Sequence, residues 1–185
     1  DHALRRAAAE LDRPGAPVRY VDVRTPSRGH DLCAGRAAWV SPPLAVGFGF
    51  LGARPLTGTT ALHIELEKKL AAFRLTEDCV VHNLGLGAMS GTISCLVGRN
   101  EHVFVDSYAH GCVHDGARLT RGTPYWFKHN DLDDLERQLK SVPLDAPKLI
   151  AVDGVYGMSG ELAPLPEIVE LKKKYKARLL VDDAH

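Results

Sequence analysis

The sequence predicts an α/β fold: a three-layer domain whose mostly parallel sheet carries helices on both faces. Three observations lead there. From about residue 59 onward, short apolar runs alternate with stretches of helical period, the signature of β-α units joined by right-handed crossovers. The runs are apolar at successive positions, as burial between two helix layers requires. The 185 residues suffice for one core, and 45% hydrophobic with 25% charged residues is the composition of a globular rather than a disordered chain.

The elements follow in order. Residues 1–12 are Ala- and Arg-rich and helix-prone, and Pro14, Gly15 and Pro17 end that stretch. Tyr20–Val23 reads as a short strand, and Arg24–Leu56 as irregular loop. Residues 1–46 are thus an expected N-terminal helix and arm, and 47–185 the front part of the α/β domain. Thr59 or Thr60 caps a helix with Leu62, Leu66, Leu70 and Phe73 at helical spacing and a Glu65–Lys69 pair on its outer face. Cys79–His82 reads as a strand. The turn Asn83–Gly87 leads into a helix over Ala88–Val97. His102–Asp106 is a predicted strand, Gly111–Arg121 a helix and Thr123–Phe127 a strand. Asn130 and Asp131 open a helix with Leu132, Leu135 and Leu139 inward. Lys148–Val152 is a strand and Pro164–Tyr175 a helix. Ala177–Asp182 is a last strand, running into Asp-Asp-Ala-His.

Charge and cysteines narrow the function classes. Lys plus Arg and Asp plus Glu each total 23, so a general electrostatic binder of nucleic acid or anionic membrane is not expected. No apolar run approaches the roughly 20 residues of a membrane-spanning helix, and the charged N-terminus lacks a signal-peptide core. The four cysteines form no C-x-x-C pair. Cys79 and Cys95 read as small buried hydrophobes in a reducing compartment, which predicts the cytoplasm.

Three features on one sheet edge carry chemistry. The Gly85-Leu86-Gly87 turn offers backbone N–H groups to a phosphate, or serves only as a tight turn; it lacks both G-x-G-x-x-G spacing and a Walker lysine. Asp182 at a strand end is a partner for a cationic ring nitrogen or a helix cap. His110, between a strand and a helix, is suited to stack on a flat ring and carry protons, or to cap the helix. His185 stands beside Asp182 in sequence. Together these meet the protein-side needs of pyridoxal phosphate (PLP). His63, His82 and His129 carry little weight, and Lys172-Lys173-Lys174 reads as a solvated face.

Five ordered blocks extend this reading: GARPLTGTTALHIELEKKLAAF, FVDSYAHGCVHDGARLTRG, FKHNDLDDLERQL, VDGVYGMSGELAPLPEIVELKKKY and LLVDDAH. From about Gly47 to His185 the chain resembles the α-oxoamine synthases, fold-type I PLP enzymes. The resemblance implies that His110 stacks on the pyridine ring and assists proton transfer. It implies that Asp182 pairs with the ring nitrogen, that His185 hydrogen-bonds the phenolic oxygen, and that the backbone at Gly85 and Leu86 holds the phosphate. It implies condensation of a serine- or glycine-class amino acid with an acyl-CoA or acyl-carrier thioester, with decarboxylation to an aminoketone, at a homodimer interface. Departures from the family pattern are Leu86 for an aromatic residue, Gly157 for serine, Asp153 for glutamate, and Ala109-His110-Gly111-Cys112 for Asn-His-Ala-Ser. The early Asn-Tyr-Leu-Gly motif is not recognisable before Gly47. The family's Schiff-base lysine lies beyond the Asp-x-Ala-His block, so these residues are expected to be the front of a longer enzyme. The alternative expectation is a non-catalytic paralogue that stabilises a catalytic partner.

Overall fold

The computed structural model describes Arg54 and residues 58–185. The helix expected over 1–12, the strand over 20–23, Cys33 and the domain boundary near residue 47 lie outside the described residues. Those described fall into two units, one ending at Val81 and one beginning at His82.

The first unit holds helix α1, Ala61–Arg74. Thr60 caps it: its N–H donates to His63 Nδ1 at 3.2 Å. Leu75, left-handed at φ 57°, ends it. The Glu65–Lys69 pair forms at 2.7 Å. The apolar row faces outward instead of forming a core: Leu62, Leu66 and Phe73 are 53%, 45% and 80% exposed, and Glu67 and Ala71 are buried. A buried carboxylate must be satisfied, and the inward face is the one that does so for Glu67. Its Oε1 accepts the Val81 N–H at 2.9 Å and meets the Arg54 guanidinium at 2.5 Å. Because Glu67 takes that N–H, the strand expected over Cys79–His82 has no ladder there, and these residues form no strand.

The second unit is the α/β domain. Its elements are α2 (Gly85–Leu96), β1 (His102–Asp106), α3 (Gly111–Leu119), β2 (Thr123–Phe127), α4 (Leu132–Lys140), β3 (Lys148–Asp153), α5 (Leu165–Lys174) and β4 (Arg178–Asp182). The four strands are all parallel, in the order β2-β1-β3-β4. The alternation of side chains across a strand divides the core in two. Val103, Val105, Leu149 and Ala151 pack with Ile93 and Val97 of α2 and its end, and with Val113 and Ala117 of α3. Phe104, Phe127, Ile150 and Val152 pack with Leu135 and Leu139 of α4 and with Leu165, Ile168 and Val169 of α5. Helices therefore cover both faces, as the sequence predicts. Burying Leu135 and Leu139 fully stabilises the fold by about 1.5–3 kcal/mol each.

Local signals account for the helix ends. Asp131 caps α4 by accepting the Asp134 N–H at 2.9 Å, and Pro164 precedes α5. Two expectations need correction. Lys172 is buried, 5% exposed, while Lys173 and Lys174 stay on the surface; burial pushes its ammonium pKa down. Cys95 is exposed and Cys79 only partly covered, whereas Cys112 is buried. Three successive residues span about 200° of a helix, so one member of a lysine triplet beside Val169 and Ile168 turns inward.

Candidate active site

The strand order decides where a site lies. β1 leads through α3 outward to β2, and β3 leads through α5 the opposite way to β4. These connections leave on opposite faces, so a crevice opens between the carboxyl ends of the two central strands. Three adjacent strands end there in aspartate: Asp106 on β1, Asp153 on β3 and Asp182 on β4, with Asp153 and Asp182 in register.

Each carboxylate is used differently. Asp106 is fully buried and accepts the N–H groups of Tyr108 at 2.8 Å and Asn130 at 2.9 Å. Asp153, 3% exposed, accepts the His110 N–H at 3.0 Å, and burial raises its pKa. Asp182 Oδ1 accepts the Ala184 N–H at 3.1 Å. Its Oδ2 meets only the Cys112 thiol among the described residues, at 3.9 Å. Among the described residues no lysine or arginine pairs with Asp153 or Asp182, so Asp182 keeps acceptor capacity for a cationic N–H.

His110 is the N-cap of α3. Its Nδ1 accepts the Cys112 N–H at 3.2 Å and lies 2.9 Å from Cys112 Sγ. Burial and the neighbouring charges of Asp182 and Asp153 raise the Cys112 pKa, so it stays a thiol. The ring reads both as cap and as candidate proton carrier, and the two roles are compatible because capping uses Nδ1. His185 lies against Gly157: a Cβ placed on Gly157 would stand 2.6 Å from His185 Nε2.

Helix α2 begins at Gly85, so the glycines lie inside its first turn rather than in a turn before it. The extended Leu84 is the cause, since its carbonyl accepts the Ala88 N–H at 2.9 Å. The first N–H groups, on Gly85, Leu86 and Gly87, therefore have no intrahelical acceptor. The end of α2 packs at Gly122, where a Cβ would be 2.6 Å from Val97 Cγ1. Gly122 precedes β2, so α2 ends at the amino edge of the sheet and its N-terminus lies toward the carboxyl edge. Among the described residues, nothing beyond its chain neighbours and its own helix lies within 4 Å of a Cβ placed on Gly85.

His129 is the residue the sequence reading missed. Its Nδ1 lies 2.9 Å from Asp106 Oδ1 and its Nε2 3.1 Å from Glu161 Oε2. Its ring stacks on Tyr108 at 4.3 Å and meets the edge of Tyr156 at 4.4 Å. Nothing in its own segment signals this, because its partners come from two other loops. Tyr156, 1% exposed, buries its hydroxyl near Asp106; burial and the charge of Asp106 push its pKa up and keep it a phenol. An apolar hollow of about 260 Å³ lies between Tyr108, Ala109, Tyr156 and Met158.

Residues 51–185 match the family of aminotransferases of class I and II. The serine palmitoyltransferase of Bacteroides thetaiotaomicron is 48% identical over 139 residues, covering 75% of this chain and 35% of that protein. The 8-amino-7-oxononanoate synthase of Citrifermentans bemidjiense is 43% identical over 142 residues, covering 77% of this chain and 36% of that one. A solved serine palmitoyltransferase from S. paucimobilis, with PLP bound as its myriocin aldimine, superimposes with a TM-score of 0.70 at 36% identity. It covers 79% of this chain and 37% of its own. The chain thus spans about a third of the length of the relatives it matches. No helix among the described residues is long and apolar enough to cross a membrane. Sequence and fold agree that the chain belongs to the aminotransferase class I and II family, with α-oxoamine synthases among its relatives.

Proposed function

We propose that this chain forms the front of the cofactor domain of a PLP-dependent α-oxoamine synthase, working as a cytoplasmic homodimer. The proposed reaction joins a serine- or glycine-class amino acid to an acyl-CoA or acyl-carrier thioester, with decarboxylation to an aminoketone. The observation that carries the reading is Asp182. It ends β4 at the carboxyl edge of the sheet, pairs with no lysine or arginine among the described residues, and keeps one carboxylate oxygen met among them only by a thiol. A protonated pyridine nitrogen is the cation that such a carboxylate lacks.

When bound, PLP supplies an electron sink for charge developing at the amino-acid Cα. The residues of this chain would bind and orient it. Asp182 would hold the ring nitrogen protonated. The Gly85–Gly87 N–H groups, at the positive end of α2, would hold the phosphate. His110 would cover the ring and move a proton through Nε2, because Nδ1 is occupied by the Cys112 N–H. His185, beside Gly157, would donate to the phenolic oxygen.

The test uses the full-length protein. Borohydride reduction with PLP, followed by intact mass, is expected to show one phosphopyridoxyl group trapped on a lysine. Absence of any adduct, with no change in absorbance on adding PLP, would overturn this reading in favour of a paralogue that stabilises a catalytic partner. The Leu86 and Gly157 departures fit that second reading.

A further inference from the structure

We propose that His129 is a positioning residue for this site: it clamps the turn carrying His110 to the loop lying against His185, and so fixes the spacing of two histidines that it does not touch. The proposal rests on the cofactor reading for its purpose and on geometry alone for its mechanism.

Three loops meet at the carboxyl edge of the sheet. The turn after β1 holds Tyr108 and His110, the turn after β2 holds His129 and Asn130, and the loop after β3 runs from Gly154 to Pro164. The third loop is tied mainly to itself: Gly160 N–H reaches the Tyr156 carbonyl at 2.7 Å, Glu161 N–H reaches Ser159 Oγ at 3.3 Å, and Gly154 N–H reaches the Asp182 carbonyl at 2.7 Å. Val155 bridges Leu162, Tyr156 N–H reaches the Glu161 carbonyl at 2.9 Å, and Ala163 N–H reaches the Gly154 carbonyl at 3.2 Å. Its tip, Gly157–Glu161, is exposed, and Met158 is wholly so. Bonds within an exposed tip do not fix it against its neighbours, which takes a tie from another element.

His129 supplies the tie from a neighbouring turn. Nδ1 reaches Asp106 at the base of the first loop, and Nε2 reaches Glu161 on the third. Each nitrogen of the ring thus has a carboxylate of a different loop within hydrogen-bond distance. Hydrogen bonds to Ser159 and His129 hold the Glu161 carboxyl below the usual range, which keeps it an acceptor. One ring face lies on Tyr108, two residues before His110, and the Tyr156 ring meets it edge-on, one residue before Gly157. Asn130 repeats the connection through the backbone. Its N–H donates to Asp106 Oδ2 at 2.9 Å and its Nδ2 to the Leu162 carbonyl at 3.2 Å. Asn130 is left-handed, at φ 52°, a conformation asparagine tolerates better than most residues, and this lets side chain and backbone serve both loops.

A residue of merely local importance would not link loops 23 and 32 positions away in sequence. The contacts of His129 are spent on loop spacing.

The test is hydrogen exchange by mass spectrometry on the full-length protein, read at 107–110 and at 156–162, beside a PLP titration. His129→Phe keeps a ring over Tyr108 and loses both polar contacts. It is expected to speed exchange in both segments by about tenfold or more, the loss expected of a charge-assisted hydrogen bond, and to weaken PLP retention by a similar factor. Glu161→Ala cuts one arm of the clamp and is expected to free 156–162 while leaving 107–110 protected. That asymmetry is something general destabilisation does not produce. Unchanged exchange in both segments of His129→Phe would overturn the proposal, as would equal loosening of both segments in Glu161→Ala. If the exchange pattern appears but the wild type takes up no PLP, the clamp stands and the cofactor reading falls.

Discussion

The two ends of the sheet bury charge in opposite ways. At the amino edge, Lys148 opens β3 and is 1% exposed, yet its ammonium donates to the carbonyls of Pro143, Leu144 and Ala146 at 2.7, 2.9 and 2.8 Å. All three acceptors come from the five residues before it. At the carboxyl edge, Asp106 takes the Asn130 N–H from the turn after β2 beside the Tyr108 N–H of its own turn, Asp153 takes the His110 N–H from the turn after β1, and Asp182, which accepts the nearby Ala184 N–H, keeps an oxygen met among the described residues only by a thiol. A locally satisfied charge holds one loop in place. Charges that depend on distant loops, one of them incompletely met, mark an edge built to receive something else.

The largest effect that sharpens this contrast is at Asp182. In the full-length protein, Asp182→Ala is expected to abolish PLP retention, measured by absorbance after dialysis, with a urea midpoint close to wild type. Full retention would place the cofactor elsewhere. Lys148→Met should do the reverse. It leaves three loop carbonyls without their donor and is expected to destabilise by about 2–3 kcal/mol in urea unfolding, with PLP affinity intact in the folded fraction.

A pair of glycines tests the contrast more finely. A Cβ on Gly122 at the amino edge would lie 2.5 Å from the Glu101 carbonyl oxygen, which is backbone and cannot step aside. Gly122→Ala should cost about 1–3 kcal/mol of stability. The three atoms nearest a Cβ on Gly157 all belong to the end of the His185 ring, which can swing away. Gly157→Ala is expected to leave the urea midpoint unchanged and to weaken PLP binding by about tenfold, roughly the value of one hydrogen bond. Similar effects of both substitutions on stability would erase the distinction between the edges.

The smallest effect is in the acid limb of stability. Glu136 on α4 accepts from Lys174, Tyr175 and Lys140, and these bonds hold its pKa at about 2. A carboxylate with a lowered folded pKa stabilises above its unfolded value and loses that contribution as pH falls through the folded one. Glu136→Gln should therefore flatten the fall in stability between about pH 4.5 and pH 2, followed by urea midpoints at each pH.

What was legible in the sequence was whatever a single segment determines. The apolar run of β3, the Leu135–Leu139 face of α4 and its Asp131 cap carry their signals within a few residues. His110 and Asp182 were legible as candidates because each stands at a strand end beside a helix or a turn. The face of α1 was not, because Glu67 and its partners Arg54 and Val81 are distant in sequence and decide it against the leucine row. His129 was hidden for the same reason: its meaning lies in Asp106, Glu161, Tyr108 and Tyr156 taken together.

The outermost described strand carries a consequence of another kind. Among the described strands β2 pairs only with β1, and its second residue is Pro124, opposite Val103. Proline has no N–H, so a foreign strand laid along that border finds a gap where a donor should be. The same strand keeps Thr123 and Trp126 exposed, so β-propensity there is high and the border would otherwise template stacking. Pro124 thus acts as a guard against aggregation through that border, a service to colloidal stability that leaves no mark on the chemistry at the other end of the strands.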